Sequence, residues 1–156
     1  MISSPTQTLA AEHQHLSALV ALMKQEQQML VALDADALTE LTPKKNALVA
    51  DLATLSRQRH GALAAAGCEG SEAGMEPWLA VGGNGSAREQ WETMLVTARE
   101  AKELNRVNGM LINRQLAHNQ GVLNAMRTPT NAPAGAIYGA SGQTLGVGAS
   151  KRYVVG

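Results

Sequence analysis

A chain of 156 residues has room for one domain and a tail. It contains no Phe, two Trp and two Tyr, so its apolar residues are mainly Ala, Leu, Val and Met, which suit narrow helix–helix seams. Its single cysteine, Cys68, excludes an internal disulfide, and no stretch can span a bilayer or act as a signal peptide, so we expect a cytoplasmic protein without membrane insertion. The net charge is zero, but all acidic residues lie at or before Glu103, and this uneven charge distribution can steer a partner. The basic residues are too dispersed to form the clusters of nucleic-acid-binding proteins.

The first predicted helix begins with Ser4 as N-cap and Pro5 at its first position. Leucine and methionine then recur every seven residues, with further leucines three positions on, which is the seam of a coiled coil. These seam residues are Leu9, Leu16, Leu19, Met23, Leu30 and Leu33. Asp34-Ala35-Asp36 offers caps where this helix ends and the next begins.

The second predicted helix repeats the sevenfold pattern in Leu41, Leu48, Leu55 and Ala62. Pro43 lies inside this stretch and leaves two interpretations open, because proline suits a first helical turn but disturbs a helix interior. Either Thr42-Pro43 starts a new helix, or Pro43 kinks a continuous one. We favour a kink or a short break with the chain direction unchanged, and we expect Gly67 to end the helix.

Residues 67–86 are rich in glycine and are predicted to be irregular, apart from one apolar turn at residues 76–79 that caps the open end of the hairpin. Ser86 and Glu89 form a capping box that opens a third helix. No strong helix breaker follows before Pro129, so this helix is predicted to run for about 40 residues, or roughly 60 Å.

The third helix carries the main functional signal, because its apolar face widens from Leu104 onward and contains several amides. One interpretation is that these amides pair with one another or across the hairpin and fix the helix register. The other is that the face is wider than a two-helix seam can cover, so that its remainder binds a partner's amphipathic helix. Both can hold. The predicted partner-binding residues are Leu104, Asn108, Leu111, Ile112, Gln115, Leu116, Asn119, Val122, Leu123 and Met126.

Beyond Arg127 the chain loses its hydrophobic periodicity and becomes rich in proline and glycine. We therefore predict a flexible tail over residues 128–156 that keeps a few apolar anchors. Residues 1–127 are predicted to form one helical domain. The expected fold is all-α: a long antiparallel helical hairpin, or coiled-coil bundle, of three main helices.

No group of residues indicates catalysis or a bound cofactor. His13 and His15 are two positions apart, so on a helix they point to different sides, and His60 and His118 are isolated. One cysteine cannot build a zinc site, and no histidine can be argued to pair with Cys68. We expect no catalytic residue, no metal and no cofactor, and therefore not an enzyme.

Several stretches together resemble a known family over most of the chain. They are the first-helix pattern Leu-x(6)-Leu-x(6)-Met-x(6)-Leu, the stretch Lys44-Lys45-x-x-Leu48 leading to Leu55-x-x-x-Arg59, the run from Leu104 to Ile112 with its Asn-x-x-Asn-Gly, and the tail segment Ile137-Tyr138-Gly139-x-x-Gly142. In these features the chain resembles FlgN, the flagellar type III export chaperones.

The resemblance implies a cytosolic chaperone that binds the hook–filament junction proteins FlgK and FlgL by helix-to-helix contact and presents them to the export gate protein FlhA. It also implies that Tyr138, which matches the tail motif, docks at the gate. We expect a monomer or a weak homodimer. A different class of function remains open, namely a structural coiled-coil protein without secretion cargo, whose third helix is covered by self-association.

Overall fold

A computed structural model describes residues 4–82 and 85–127, and the part of the chain it describes contains helices and no strand. This confirms the all-α prediction. The chain divides into two compact units, residues 1–113 and 114–156, which are described separately. The helices are α1 (Leu9–Ala32), α2 (Ala35–Ala65), α3 (Met75–Gly82) and α4 (Gly85–Arg127), with short 3-10 turns at Pro5–Gln7 and Glu72–Gly74.

The predicted cap at the start of the chain is correct, but it opens a 3-10 turn rather than α1. The side chain of Ser4 accepts a hydrogen bond from the backbone N–H of Thr6, and Pro5 is the first residue of the turn. α1 begins after Thr8, whose hydroxyl donates to the carboxylate of Glu12 at 2.7 Å. A tight turn that leads into an α-helix is common at helix N-termini.

The turn between α1 and α2 is made by Leu33 in the left-handed conformation, with a φ of 58°. Its N–H and that of Asp34 donate to the carbonyls of Leu30 and Met29, which closes the helix end. Asp34 then caps α2, as predicted, by accepting from the N–H of Ala37 at 3.0 Å. The prediction that Leu33 belongs to the seam is wrong, because this residue leaves the helix and is 70% exposed.

Pro43 lies inside α2, which is one helix of 31 residues. The alternatives of a new helix start at Thr42 and of a short break are therefore wrong, and only a continuous helix through Pro43 remains. Proline cannot supply the N–H of an intrahelical hydrogen bond. The preceding Thr42 donates its hydroxyl to the carbonyl of Leu38 at 2.8 Å, so this turn keeps a side-chain bond to its backbone.

Gly67 ends α2, as predicted, in the left-handed region with a φ of 83°. The N–H of Gly67 donates to the carbonyl of Ala64 at 3.0 Å, and that of Cys68 donates to Leu63 at 2.9 Å. This pair of hydrogen bonds is the Schellman arrangement, in which glycine is preferred because it lacks a Cβ.

The ion pairs and hydrogen bonds between helices give their directions. Glu12 of α1 pairs with Arg59 of α2, and Glu26 pairs with Lys45, so α1 and α2 are antiparallel. His13 and Glu26 of α1 instead contact Thr97 and Asn108 of α4, in the same order along both helices. α4 therefore runs parallel to α1, because α2 has already returned the chain to the end where α1 began and α4 starts from that end.

The core of the first unit consists of two apolar clusters along this bundle. The larger cluster closes the end where α1 begins, and α3 supplies two of its residues. Its buried members are Leu9, Leu63, Met75, Leu79, Ala87, Trp91 and Met94. The prediction of one apolar turn at residues 76–79 in an irregular stretch is wrong, because these residues belong to the eight-residue helix α3. The second cluster comprises Leu19, Val20, Met23 and Ala101, with Leu16, Leu48, Leu52 and Leu104 packed against it.

Candidate protein-binding surface on the last helix

The inner edge of the predicted surface belongs to the packing of the first unit. Leu104 is half-buried against the cluster of Leu19, Val20 and Met23, and Leu111 is also half-buried. Apolar contacts of this kind stabilise the bundle in proportion to the area removed from water. Leu104 contributes to the fold through this contact, and only part of the surface of either leucine is left for a partner.

Asn108, one of the predicted binding residues, is buried within the first unit, with only 1% of its surface exposed. Its side-chain amide donates to the backbone carbonyl of Met23 and to Oε1 of Glu26, both at 2.8 Å. Lys45 of α2 binds both oxygens of the same carboxylate at 3.0 and 3.2 Å. One amide, one carboxylate and one ammonium thus join three helices. For Asn108 this matches the first interpretation of the amides, in which they pair across the hairpin and fix the helix register.

The outer edge of the predicted surface in the first unit is exposed. Ile112, a residue of this edge, is 38% exposed. Ile112 and Leu111 are adjacent in sequence, so about 100° of helix rotation separates the half-buried side from the exposed one. In the first unit, one side of the predicted apolar arc is therefore half-buried and the other side is exposed to solvent.

The second unit is described over residues 114–127, and there only Gln115 is half-buried while every other residue is exposed. Leu116 is 61% exposed, Val122 44%, Leu123 49% and Met126 76%. Exposed leucine and methionine side chains in regular succession on one helix are typical of a contact surface for another protein.

Four of these exposed residues lie on one side of the helix. Leu116, Asn119, Leu123 and Met126 are spaced by three, four and three residues, the spacing of coiled-coil seam positions. At 100° per residue they fall within an arc of about 80°. We call these four residues the outer stripe. Val122 lies about 40° beyond Met126, at its border.

The sequence did not predict a second polar layer, which lies near the start of α1. Arg59 and Glu12 are 1% and 3% exposed. Nε of Arg59 donates to Oε1 of Glu12 at 2.9 Å, and Nη2 donates to Oε2 at 3.1 Å and to Glu72 at 2.7 Å. The guanidinium also lies 4.9 Å from the ring centroid of Trp91, a cation–π distance.

The charges of this layer are stabilised by one another. Burial alone would lower the pKa of Arg59, but hydrogen bonds and charge from Glu12 and Glu72 raise it above its ordinary value, so the residue stays cationic. Burial would also raise the pKa of Glu72, yet Arg59 and then His60 hold it below its usual range. The 3-10 turn that leads into α3 is thereby tied to α2.

Neither a metal site nor a membrane-crossing helix occurs where the structure is described. Over residues 4–82 and 85–127, no three His, Cys, Asp or Glu side chains are grouped so as to hold a metal ion. Over the same ranges, none of the helices combines the length and apolar character needed to cross a bilayer. Cys68 is a free, half-buried thiol packed against the larger apolar cluster.

Comparison with known proteins places this helical chain in a family. The model of the family described as FlgN protein matches residues 1–146. The chain belongs to the FlgN family. The match covers nearly the whole chain, and it includes α1 to α4 as well as Tyr138, which lies outside the described residues.

Two relatives show how far the FlgN similarity extends. The flagella synthesis protein FlgN of Proteus mirabilis is 27% identical over 145 residues, which cover 92% of this chain and 91% of the relative. That of Salmonella typhimurium is 28% identical over 131 residues, which cover 83% and 81%. No solved structure matches the chain.

Three residues of the stretches that resemble FlgN have internal roles in this structure. Lys45, Arg59 and Asn108 are the residues that bind the buried carboxylates of α1. In this chain these three residues join the helices of the bundle. The apolar members of the outer stripe are exposed, and Tyr138 lies outside the described residues.

Proposed function

We propose that this FlgN-family protein is a flagellar export chaperone that binds hook–filament junction proteins of the FlgK and FlgL type in the cytoplasm. The outer stripe of α4, at Leu116, Asn119, Leu123 and Met126, is the cargo surface. The observation that carries the proposal is the exposure of its three apolar members, at 61%, 49% and 76%. The relatives support a flagellar role, since both are named flagella synthesis proteins.

The physical basis of cargo binding is the burial of these side chains against a partner helix. Fully burying one leucine or methionine contributes about 1.5–3 kcal/mol relative to leaving it exposed. Three such residues in heptad-like spacing match the anchors that an amphipathic helix presents at positions i, i+3, i+4 and i+7. Leucine and methionine are adaptable enough to accept more than one cargo helix.

Val122 borders the stripe and is assigned a peripheral contact, as is Ile112, which precedes the stripe in the sequence. Leu104, Leu111 and Gln115 are half-buried, so their contribution to cargo binding is small. Asn108 is omitted from the proposed surface because it is buried and bonded to α1. The proposal is thus narrower than the set of residues predicted from sequence.

A pair of charge insertions tests the cargo surface. Leu116→Glu/Leu123→Glu should weaken binding of a purified FlgK-type protein by about 100-fold, because two anchors become charged groups that resist burial. Ala117→Glu/Ala125→Glu adds the same two carboxylates on other sides of the helix and is the matched control. Calorimetry gives the affinity and circular dichroism the helicity; equal weakening by both variants would remove the outer stripe as the cargo surface.

We further propose that Tyr138 docks the loaded chaperone at the export gate protein FlhA, in accordance with the tail motif that it matches. Tyr138→Ala should weaken binding to the purified gate domain at least tenfold and leave cargo affinity unchanged. Tyr153→Ala, which removes the other tail tyrosine beyond the family match, is the control. Unchanged gate binding by Tyr138→Ala discards this assignment.

The spacing of the outer stripe also suits a second copy of the chain, which keeps the structural self-association function as the alternative. Light scattering at micromolar concentrations separates the two. A dimer that persists on dilution and is lost in Leu116→Glu/Leu123→Glu would favour self-association. A monomer that binds cargo one-to-one would favour the chaperone.

A further inference from the structure

The part of α4 that carries the outer stripe has no charged residue. Residues 115–126, QLAHNQGVLNAM, contain no Asp, Glu, Lys or Arg, whereas residues 85–106 of the same helix contain eight. Exposed helix surfaces normally carry such charges, because they keep the surface hydrated. All of residues 116–126 are exposed, so burial against the described part of the chain does not account for the lack of charged residues.

A surface that is repeatedly buried by a partner accounts for this composition. A charge moved out of water is costly unless it is paired, whereas a neutral amide needs only a hydrogen bond. Glu and Lys beside a helical seam usually select partners of the opposite charge. This segment lacks them, so its selectivity must come from its uncharged polar side chains.

Asn119 is the polar member of the outer stripe, between Leu116 and Leu123. The same helix shows what an asparagine does once a neighbouring helix covers it. Asn108, eleven residues earlier in the sequence, is buried and donates to a backbone carbonyl and a carboxylate of α1. Asn119 remains exposed.

We propose that the outer stripe selects an amphipathic helix whose contacting edges are uncharged, and that Asn119 is the specificity-determining residue, hydrogen-bonding a polar group of that helix. The proposal rests on the cargo function proposed above and adds the chemical class of the cargo segment. A neutral polar group opposite Asn119 fixes the register, and a charged edge is rejected because residues 115–126 contain no charge that would offset its desolvation.

The test compares two isosteric changes in the full-length chaperone, with a purified FlgK-type protein as the probe. Asn119→Asp puts one charge inside the stripe and should weaken binding at least tenfold at pH 7.5. Asn113→Asp makes the same change about 120° away on the helix and should alter it less than twofold. The affinity of the unaltered protein should change less than threefold between 50 and 500 mM NaCl, because no ion pair is formed.

Each outcome discriminates. Equal effects of the two variants, tighter binding by Asn119→Asp, or a tenfold loss of affinity at high salt overturns the inference and leaves the cargo function standing. Failure of the unaltered protein to bind the probe overturns the cargo function, and the inference falls with it. Unchanged helicity of Asn119→Asp by circular dichroism shows that any weakening arises at the surface.

Discussion

Arg59 of α2 holds both oxygens of Glu12 of α1 in a two-pronged ion pair, with N–O distances of 2.9 and 3.1 Å and both side chains almost fully buried. Fourteen residues further along α1, Glu26 is held by Lys45, fourteen residues before Arg59. Two charged layers with matching separations thus fix how α1 and α2 align. A slip by one helical turn would leave four buried or half-buried charges without partners.

Removing one partner of the Glu12–Arg59 pair should be more harmful than removing both. Glu12→Gln leaves a buried guanidinium without its main countercharge and should lower the free energy of unfolding by about 3–5 kcal/mol. Glu12→Leu/Arg59→Met should cost clearly less, since no buried charge remains. Urea unfolding followed by circular dichroism measures both, and a double variant less stable than Glu12→Gln would contradict the prediction.

Alanine substitution should change the stability of the protein in opposite directions at Gly61, inside α2, and at Gly67, just after its end. Gly67→Ala forces a Cβ into the left-handed region and should destabilise the protein by about 1 kcal/mol. Gly61→Ala should stabilise it by about 1 kcal/mol, because Gly61 lies in the interior of α2 and an added Cβ meets nothing within 4 Å. Thermal unfolding of the two variants provides the comparison, and a shift of the same sign in both would count against the assigned conformation of Gly67.

Glu72 should make stability depend on pH in the acid range. Its pKa is lowered in the folded protein, so the contribution of the carboxylate is present above its unfolded pKa of about 4.3 and is lost as pH falls through the folded value. Glu72→Gln should therefore be less stable than the unaltered protein at pH 7, by about 1 kcal/mol or less because Glu72 is solvent-exposed. The difference should shrink steadily below pH 4; a difference that is constant from pH 7 to pH 3 would exclude this linkage.

Replacing the buried amide of Asn108 by a carboxylate should destabilise the folded protein. Asn108→Asp places a second carboxylate beside Glu26, at an atom that lies 2.8 Å away in the structure, and should destabilise the protein by about 2–4 kcal/mol at pH 7. Asn113→Asp, on the exposed side of the same helix, should change stability by less than about 0.5 kcal/mol. Urea midpoints at constant slope give both values, and equal midpoints would show that Asn108 is not confined as described.

Most of the helical layout could be predicted from sequence, since the sevenfold repeats, the Asp34 cap and Gly67 are local signals. Leu33 was misplaced because the repeat continues one position past the end of α1. Pro43 could not be resolved by local rules, since packing on both sides of it keeps α2 helical. The parallel pairing of α4 with α1 depends on contacts between residues far apart in the sequence, which no periodicity encodes.

The two charged layers were missed although a signal existed. Glu12 and Glu26 occupy seam positions three residues after Leu9 and Met23, and Lys45 and Arg59 follow Leu41 and Leu55 by four. Acids on one seam and bases on another, at equal intervals, indicate paired burial. Asn108 could not be separated from Asn119 beforehand, because both are asparagines of the predicted arc and only the tertiary packing shows that Asn108 is buried against α1.

The outer stripe has a consequence for handling the purified protein. The chain as a whole has no net charge at neutral pH, and the segment around the stripe has none locally. Copies of the molecule therefore repel one another only weakly while exposing apolar side chains, and these two properties together favour aggregation. We expect solubility to be lowest near pH 7 and to rise in mildly alkaline buffer or when cargo is co-expressed.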